Sequence, residues 1–168
     1  MKIHINLNKR GSIDEAIKKI EAYRKDIEDK LGELVRILAN DGFVVARSWL
    51  GATQGDSTRA SVGLDFDEAG NIHSAVINLS GQDALFVEFG AGYYYNASDP
   101  PHAAEFGYGV GTYPGQKYAF QRGWYYYDEM GNLTYSHGTE GTYPLYHAAE
   151  NIRNTAIIKA LSVFRSED

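Results

Sequence analysis

Residues 12–49 read SIDEAIKKIEAYRKDIEDKLGELVRILANDGFVVARSW, and the spacing of their apolar side chains decides the fold. Large apolar residues recur at Ile13, Ile17, Ile20, Ile27, Leu31, Leu34, Leu38, Val45 and Trp49, mostly at alternating steps of four and three. That period lines them along one face of an α-helix. Arg24 and Asp41 occupy slots where the stripe is interrupted. Ser12 and Glu15 have the spacing of a capping box, which starts the helix at Ile13. Glu21–Lys25 and Asp26–Lys30 stand on the other face in the favourable order for four-residue pairs. Unbroken from 13 to 49, such a helix is roughly 55 Å long. A compact domain of this size has a radius of gyration of only about 15 Å. Either Asn40-Asp41-Gly42 bends the helix, or it is continuous and part of its stripe projects beyond its own core. We carry the second reading forward, with a neighbouring subunit covering the excess.

Working outward, residues 2–7 alternate, with Ile3, Ile5 and Leu7 on one face of a half-buried strand. Downstream, Ala60, Val62, Leu64 and Phe66 alternate through 58–66, the turn-like DEAGN follows at 67–71, and IHSAVINL (72–79) supplies a second strand, making a hairpin. ALFVEFG (84–90) is a short apolar segment that suits either a helix or a strand. From 90 to 146 the composition changes: twelve of the thirteen tyrosines and all four prolines lie there, which makes 93–141 a Gly/Tyr-rich insert. Within it, 93–117 has the turn chemistry of a long loop. GWYYYDEMGNLTYSH (123–137) reads as a hairpin turning at 128–132. A final helix opens at Pro144, a residue suited to a first helical turn, with Leu145, Ala148, Ala149, Ile152, Ala156, Ala160 and Val163 along one side. The expected architecture is a single α+β domain over 1–168. A long N-terminal helix and a C-terminal helix pack on a small, mainly antiparallel β-sheet.

Composition narrows the function classes. With 168 residues and 43% hydrophobic content the chain fits one globular domain. It has no cysteine, so disulfides, thiolate nucleophiles and Cys-ligated zinc are excluded together. A net charge of −6 opposes tight nucleic-acid binding, which depends on Lys and Arg displacing counterions from phosphate. MKIHINLNKRGS at the start has no apolar core of signal-peptide length, and no run approaches membrane-spanning length. We therefore expect no membrane association.

Catalytic and cofactor patterns are weak. His102-Ala-Ala-Glu105 has a metal-ligand spacing, but Pro100-Pro101 and nearby glycines oppose a helix there, and no further His/Asp/Glu cluster supplies a third ligand. Gly107-Tyr108-Gly109-Val110-Gly111 lacks the spacing of a phosphate loop, and Lys117 is followed by Tyr118. No G-x-S-x-G elbow occurs. Asn78-Leu79-Ser80, Asn96-Ala97-Ser98 and Asn132-Leu133-Thr134 match the glycosylation pattern by chance. We expect no enzyme activity, no cofactor and no metal.

The tyrosines are the strongest compositional signal. Tyr93, Tyr94, Tyr95, Trp124, Tyr125, Tyr126 and Tyr127 exceed what a core requires. Tyrosine combines large contact area with a hydroxyl tolerant of water, so the cluster suits a protein–protein surface, a sugar-stacking platform or a hairpin packed on its own domain. Glu88, between Val87 and Phe89, needs a hydrogen-bond or charge partner, or access to water. Helix capping, buried orientation and an intersubunit contact all satisfy that need.

FVEFGAG (86–92) and TYPLYHAAENIR (142–153) carry a resemblance. With the long helix, the hairpin and the GWYYY segment, the chain resembles the minor tail-component, or tail-completion, proteins of long-tailed bacteriophages and prophages. The resemblance covers nearly the whole chain. Ala91 stands where the family usually has threonine, and PLYHAA replaces a commoner pattern with a second proline. It implies a virion structural protein of the neck, assembled in the bacterial host cytoplasm. It further implies a ring, possibly six-fold, of copies of itself, in contact with other neck or tail proteins, through which DNA passes without sequence-specific binding. No catalytic residues come with the family. For the subunit interface the sequence points to Phe89, Glu88, Trp124, Tyr126 and Trp49. The alternative is a carbohydrate-binding module that uses the Tyr/Trp platform.

Overall fold

A computed structural model describes residues 11–53, 59–67, 73–96, 98, 101, 103–128 and 130–165. The strand expected at 2–7 lies outside them, as do His4, His102 and most of the 67–71 turn. In chain order the described elements are α1 (Ser12–Thr53), β1 (Ala60–Asp67), β2 (Ser74–Gly81), α2 (Ala84–Phe89), α3 (Ala103–Phe106), β3 (Trp124–Tyr127), β4 (Leu133–Ser136) and α4 (Pro144–Arg165). This is the expected α+β class. Among the described residues the strands form two antiparallel pairs, β1–β2 and the expected hairpin β3–β4. The loop-rich stretch between β2 and β3 keeps the two pairs apart.

α1 runs unbroken through Asn40-Asp41-Gly42 for 42 residues, about 63 Å. The first intrahelical bond goes from Glu15 N–H to Gly11 O, so Gly11 stands at the cap position and the helix begins one residue earlier than the capping pattern placed it. Gly42 gives room for contact and does not bend the helix. A Cβ there would lie 2.6 Å from Ile152 Cδ1 and 2.8 Å from Ile77 Cδ1, so α4 and β2 close in on bare backbone. Asp41, which interrupts the apolar stripe, forms an ion pair with Lys159 of α4 at 2.7 Å. Trp49 stacks on His147 with ring centroids 3.8 Å apart. These contacts run α4 antiparallel to the C-terminal half of α1.

The face that α1 buries is not the one its large residues mark. Gly32, Ala39, Gly42 and Ala46 are buried, whereas Leu31 and Trp49 are exposed and Leu34, Leu38 and Val45 are half-buried. Small residues at these spacings let the partner elements approach the helix axis closely. Along α1 every residue from 17 to 25 is exposed, whereas Ser12 and Ala16 before them are buried. Arg24, the other interruption, bonds Glu28 at 2.7 Å on its own helix.

β1 and β2 pair Val62 with Leu79, Leu64 with Ile77 and Phe66 with Ala75, so the alternating apolar residues share one face. The opposite face is polar, with Asn78 donating to Asp65 at 2.9 Å. ALFVEFG resolves as helix: Val87 N–H bonds Asp83 O, Gly90 N–H bonds Phe86 O, and Gly90 at φ +74° ends the turn. The 93–117 stretch is mostly loop but holds one helical turn, α3, where Pro100-Pro101 and the glycines were expected to prevent one. Tyr108 N–H closes it on Ala103 O and Gly107 at φ +70° terminates it. Asp128 builds the β3–β4 turn, its Oδ1 accepting N–H bonds from Met130 at 3.0 Å and Asn132 at 2.8 Å.

Candidate assembly surfaces

α4 opens with a problem its own sequence does not solve. His147 N–H bonds Tyr143 O, which puts Tyr143 at the cap position, where a short polar side chain normally accepts the free N–H groups of the first turn. A tyrosine ring cannot do this. Pro144 has no N–H, which leaves Leu145 and Tyr146. The Glu88 carboxylate accepts both, Oε2 from Leu145 N–H at 2.9 Å and Oε1 from Tyr146 N–H at 3.1 Å. A buried residue of α2 thus caps a helix that begins more than fifty residues later. Burial raises the Glu88 carboxyl above its ordinary value, and the two N–H bonds act against that shift.

The same junction is stitched at several other points. Thr142 N–H bonds Val87 O at 2.8 Å, and Ala91 and Thr139 exchange both backbone bonds at 2.9 Å. Buried Asn96 spends its whole amide here: Nδ2 donates to Thr139 O at 2.8 Å and Gly92 O at 3.0 Å, and Oδ1 accepts from Gly141 N–H at 3.0 Å. A Cβ on Gly90 would stand 2.3 Å from that Oδ1, so the position requires glycine on space as well as on φ. Tyr143 sits at φ +52°, a left-handed conformation that costs a non-glycine residue about 1–2 kcal/mol. FVEFGAG and the TYP that opens α4 are therefore one structural unit.

Beside this unit lies an open groove of about 460 Å³, lined mainly by Phe89, Phe106, Tyr108, Tyr143, Leu145 and Tyr146. Glu105, Glu150 and Arg153 also border it, Arg153 reaching Glu150 at 3.5 Å. Phe89 meets Tyr108 edge-on at 4.9 Å. Burial and the nearby Glu88 charge raise the Tyr143 hydroxyl, and burial lowers His147 against the opposing pull of Glu150. Among the described residues no three His, Asp or Glu side chains come together to hold a metal ion. No described helix is long and apolar enough to cross a membrane.

The five interface candidates separate into three places. Glu88 and Phe89 flank the groove, with Glu88 buried and committed to α4. Trp49 lies on α1 against His147. Trp124 and Tyr126 share one face of the β3–β4 hairpin, where Trp124 is half-buried against Phe120 at 5.2 Å. The other hairpin face is the more open. Tyr125 pairs with Tyr135 and Tyr127 with Leu133, and all four are exposed. A ladder of rings continues from it, Tyr125 to Tyr135 to His137 to Tyr94 to Tyr95, each step about 5 Å. Alternation in the sequence marks these two faces without saying which one packs against the rest of the chain. Sequence reasoning missed Ile157, Leu161 and Phe164, an exposed second stripe on α4 that four-three spacing makes visible in the sequence. Neither a family model, nor a curated protein, nor a solved structure matches the chain.

Proposed function

We propose that this chain is a structural subunit of a phage or prophage virion, a tail-completion or head–tail joining protein of the neck. Copies assemble as a ring around the DNA channel, against other neck or tail proteins. The resemblance in FVEFGAG and TYPLYHAAENIR supplies the phage assignment. The observation that carries assembly is the apolar row in the first half of α1, where Ile13, Ile17, Ile20 and Tyr23 are all exposed on a helix of about 63 Å. Large contiguous apolar exposure of this kind marks interaction surfaces. The acidic balance suits a channel that DNA traverses without adhering.

Deleting the gene from an inducible prophage tests the reading. Electron microscopy of the lysate should show DNA-filled heads and free tails that fail to join, restored by the gene in trans. Intact, infectious particles from the deletion strain would exclude it. A carbohydrate-binding reading is favoured by the exposed Tyr125 and Tyr127 rings alone. It predicts glycan retention on an affinity gel that Tyr125→Ala or Tyr127→Ala abolishes.

A further inference from the structure

We infer that the loop at 117–122 of one copy, led by Tyr118, docks in the aromatic groove beside the Glu88 cap of a second copy. The contact rests on the assembly reading above and names two surfaces that assembly uses. The loop is built to present a ring. Gln116 N–H turns back onto Tyr113 O at 2.9 Å, and Phe120 O accepts from Tyr93 N–H at 3.1 Å. The Tyr135 hydroxyl donates to Arg122 O. Between these ties Tyr118 is 83% exposed, the most exposed aromatic ring of the described residues, and Phe120 is exposed two positions on. A ring held out on an anchored backbone loses little freedom on docking, and aromatic anchors of this kind dominate interface affinity.

The groove offers what such a ring needs. Its volume of about 460 Å³ is that of a pocket able to enclose a small group. Phe89, Phe106, Leu145 and Tyr146 line it, and Phe106 is largely exposed, so ring faces and edges are open to a partner. Charge selects the occupant. From 106 to 127 the chain has no Asp or Glu, and its two charged side chains, Lys117 and Arg122, are exposed on either side of Tyr118 and Phe120. The Glu105 and Glu150 carboxylates border the groove, against one cation, Arg153. A cationic loop thus meets a mainly anionic rim, whereas the exposed Met130 of the hairpin turn would bring Asp128 towards those carboxylates. Within one copy Tyr108 borders both the groove and the space beside Lys117 and Tyr118. The exposed Tyr118 does not enter the groove of its own chain, so loop and groove are distinct patches. Contact between different patches runs head to tail and closes into a ring when the rotation per step permits.

A photoreactive ring reads the contact directly. Full-length chain carrying Tyr118→p-benzoylphenylalanine is mixed at high concentration with isotopically labelled chain that lacks the probe, then irradiated. Mass spectrometry should find the probe joined to Phe89, Phe106, Leu145 or Tyr146 of the labelled chain. Ala149→Trp in the labelled chain fills the groove from an exposed position and should remove most of that product. Lys117→Glu with Arg122→Glu in the probe chain should do the same, circular dichroism confirming that every variant is folded. The inference is overturned if the probe joins only its own chain or maps elsewhere on the labelled one. It is equally overturned if the folded variants leave the yield unchanged. If purified particles contain the chain and its probe joins a different virion protein instead, this contact is wrong and the neck assignment stands. If the labelled product forms and particles lack the chain, the neck assignment is wrong and the contact stands.

Discussion

Glu88 is the residue on which the local architecture turns. Its carboxylate replaces the side-chain cap that Tyr143 cannot provide, and it ties α2 to α4 across the Gly/Tyr-rich stretch. Glu88→Ala leaves the N–H groups of Leu145 and Tyr146 without this acceptor and should destabilise the fold by about 1–2 kcal/mol. Glu88→Gln keeps one accepting oxygen and should cost less. Urea denaturation of the three proteins measures both. Titration gives a second handle. Burial raises the folded-state carboxyl above its ordinary value, so the folded chain holds this proton more tightly than the unfolded chain does. The stability from that preference is fully present below the unfolded value, near 4.5, and is lost as pH rises through the raised one. The stability of wild type relative to Glu88→Gln should accordingly fall as pH increases across that interval, then level off. A difference that grows with pH would contradict the assigned direction.

Among the elements, α1 shows how far sequence reaches. Its existence and length are legible from residues 12–49, because a helical period is sustained over so many residues, whereas at Asn40-Asp41-Gly42 the sequence allows either a bend or continuity. Which face it buries is not legible. Hydrophobicity marks the large residues, whereas packing uses Gly32, Ala39, Gly42 and Ala46, whose value lies in what they lack. Two glycine substitutions separate these effects. Gly51 has no atom within 4 Å of a Cβ position, so Gly51→Ala should stabilise by about 0.5–1 kcal/mol through helix propensity. Gly42→Leu forces a side chain into the space held by Ile152 and Ile77 and should destabilise by about 1–3 kcal/mol. Thermal unfolding of both reads opposite shifts in Tm. The β3–β4 hairpin repeats the lesson: its DEMGN turn is readable because Asp128 needs only local backbone partners, but the parity of its packed face depends on Phe120 and Gly92 elsewhere in the chain. The Glu88 cap is the least legible of all. A carboxylate in an apolar segment announces that it needs a partner, and nothing local names Leu145 and Tyr146.

At the scale of the whole molecule, the described fold leaves large apolar side chains exposed on several elements. The first half of α1, the outer face of α4 and the outer face of the hairpin are separate exposed surfaces, which suits the proposed subunit with several neighbours. The phage virion proposed above as the particle rests on the resemblance in FVEFGAG and TYPLYHAAENIR. Quantitative mass spectrometry of density-gradient-purified phage particles, with the capsid protein as internal standard, tests that claim most directly. The account predicts a small, fixed number of copies per particle that survives a high-salt wash. Particles that are complete and infectious yet contain none of this chain would contradict it.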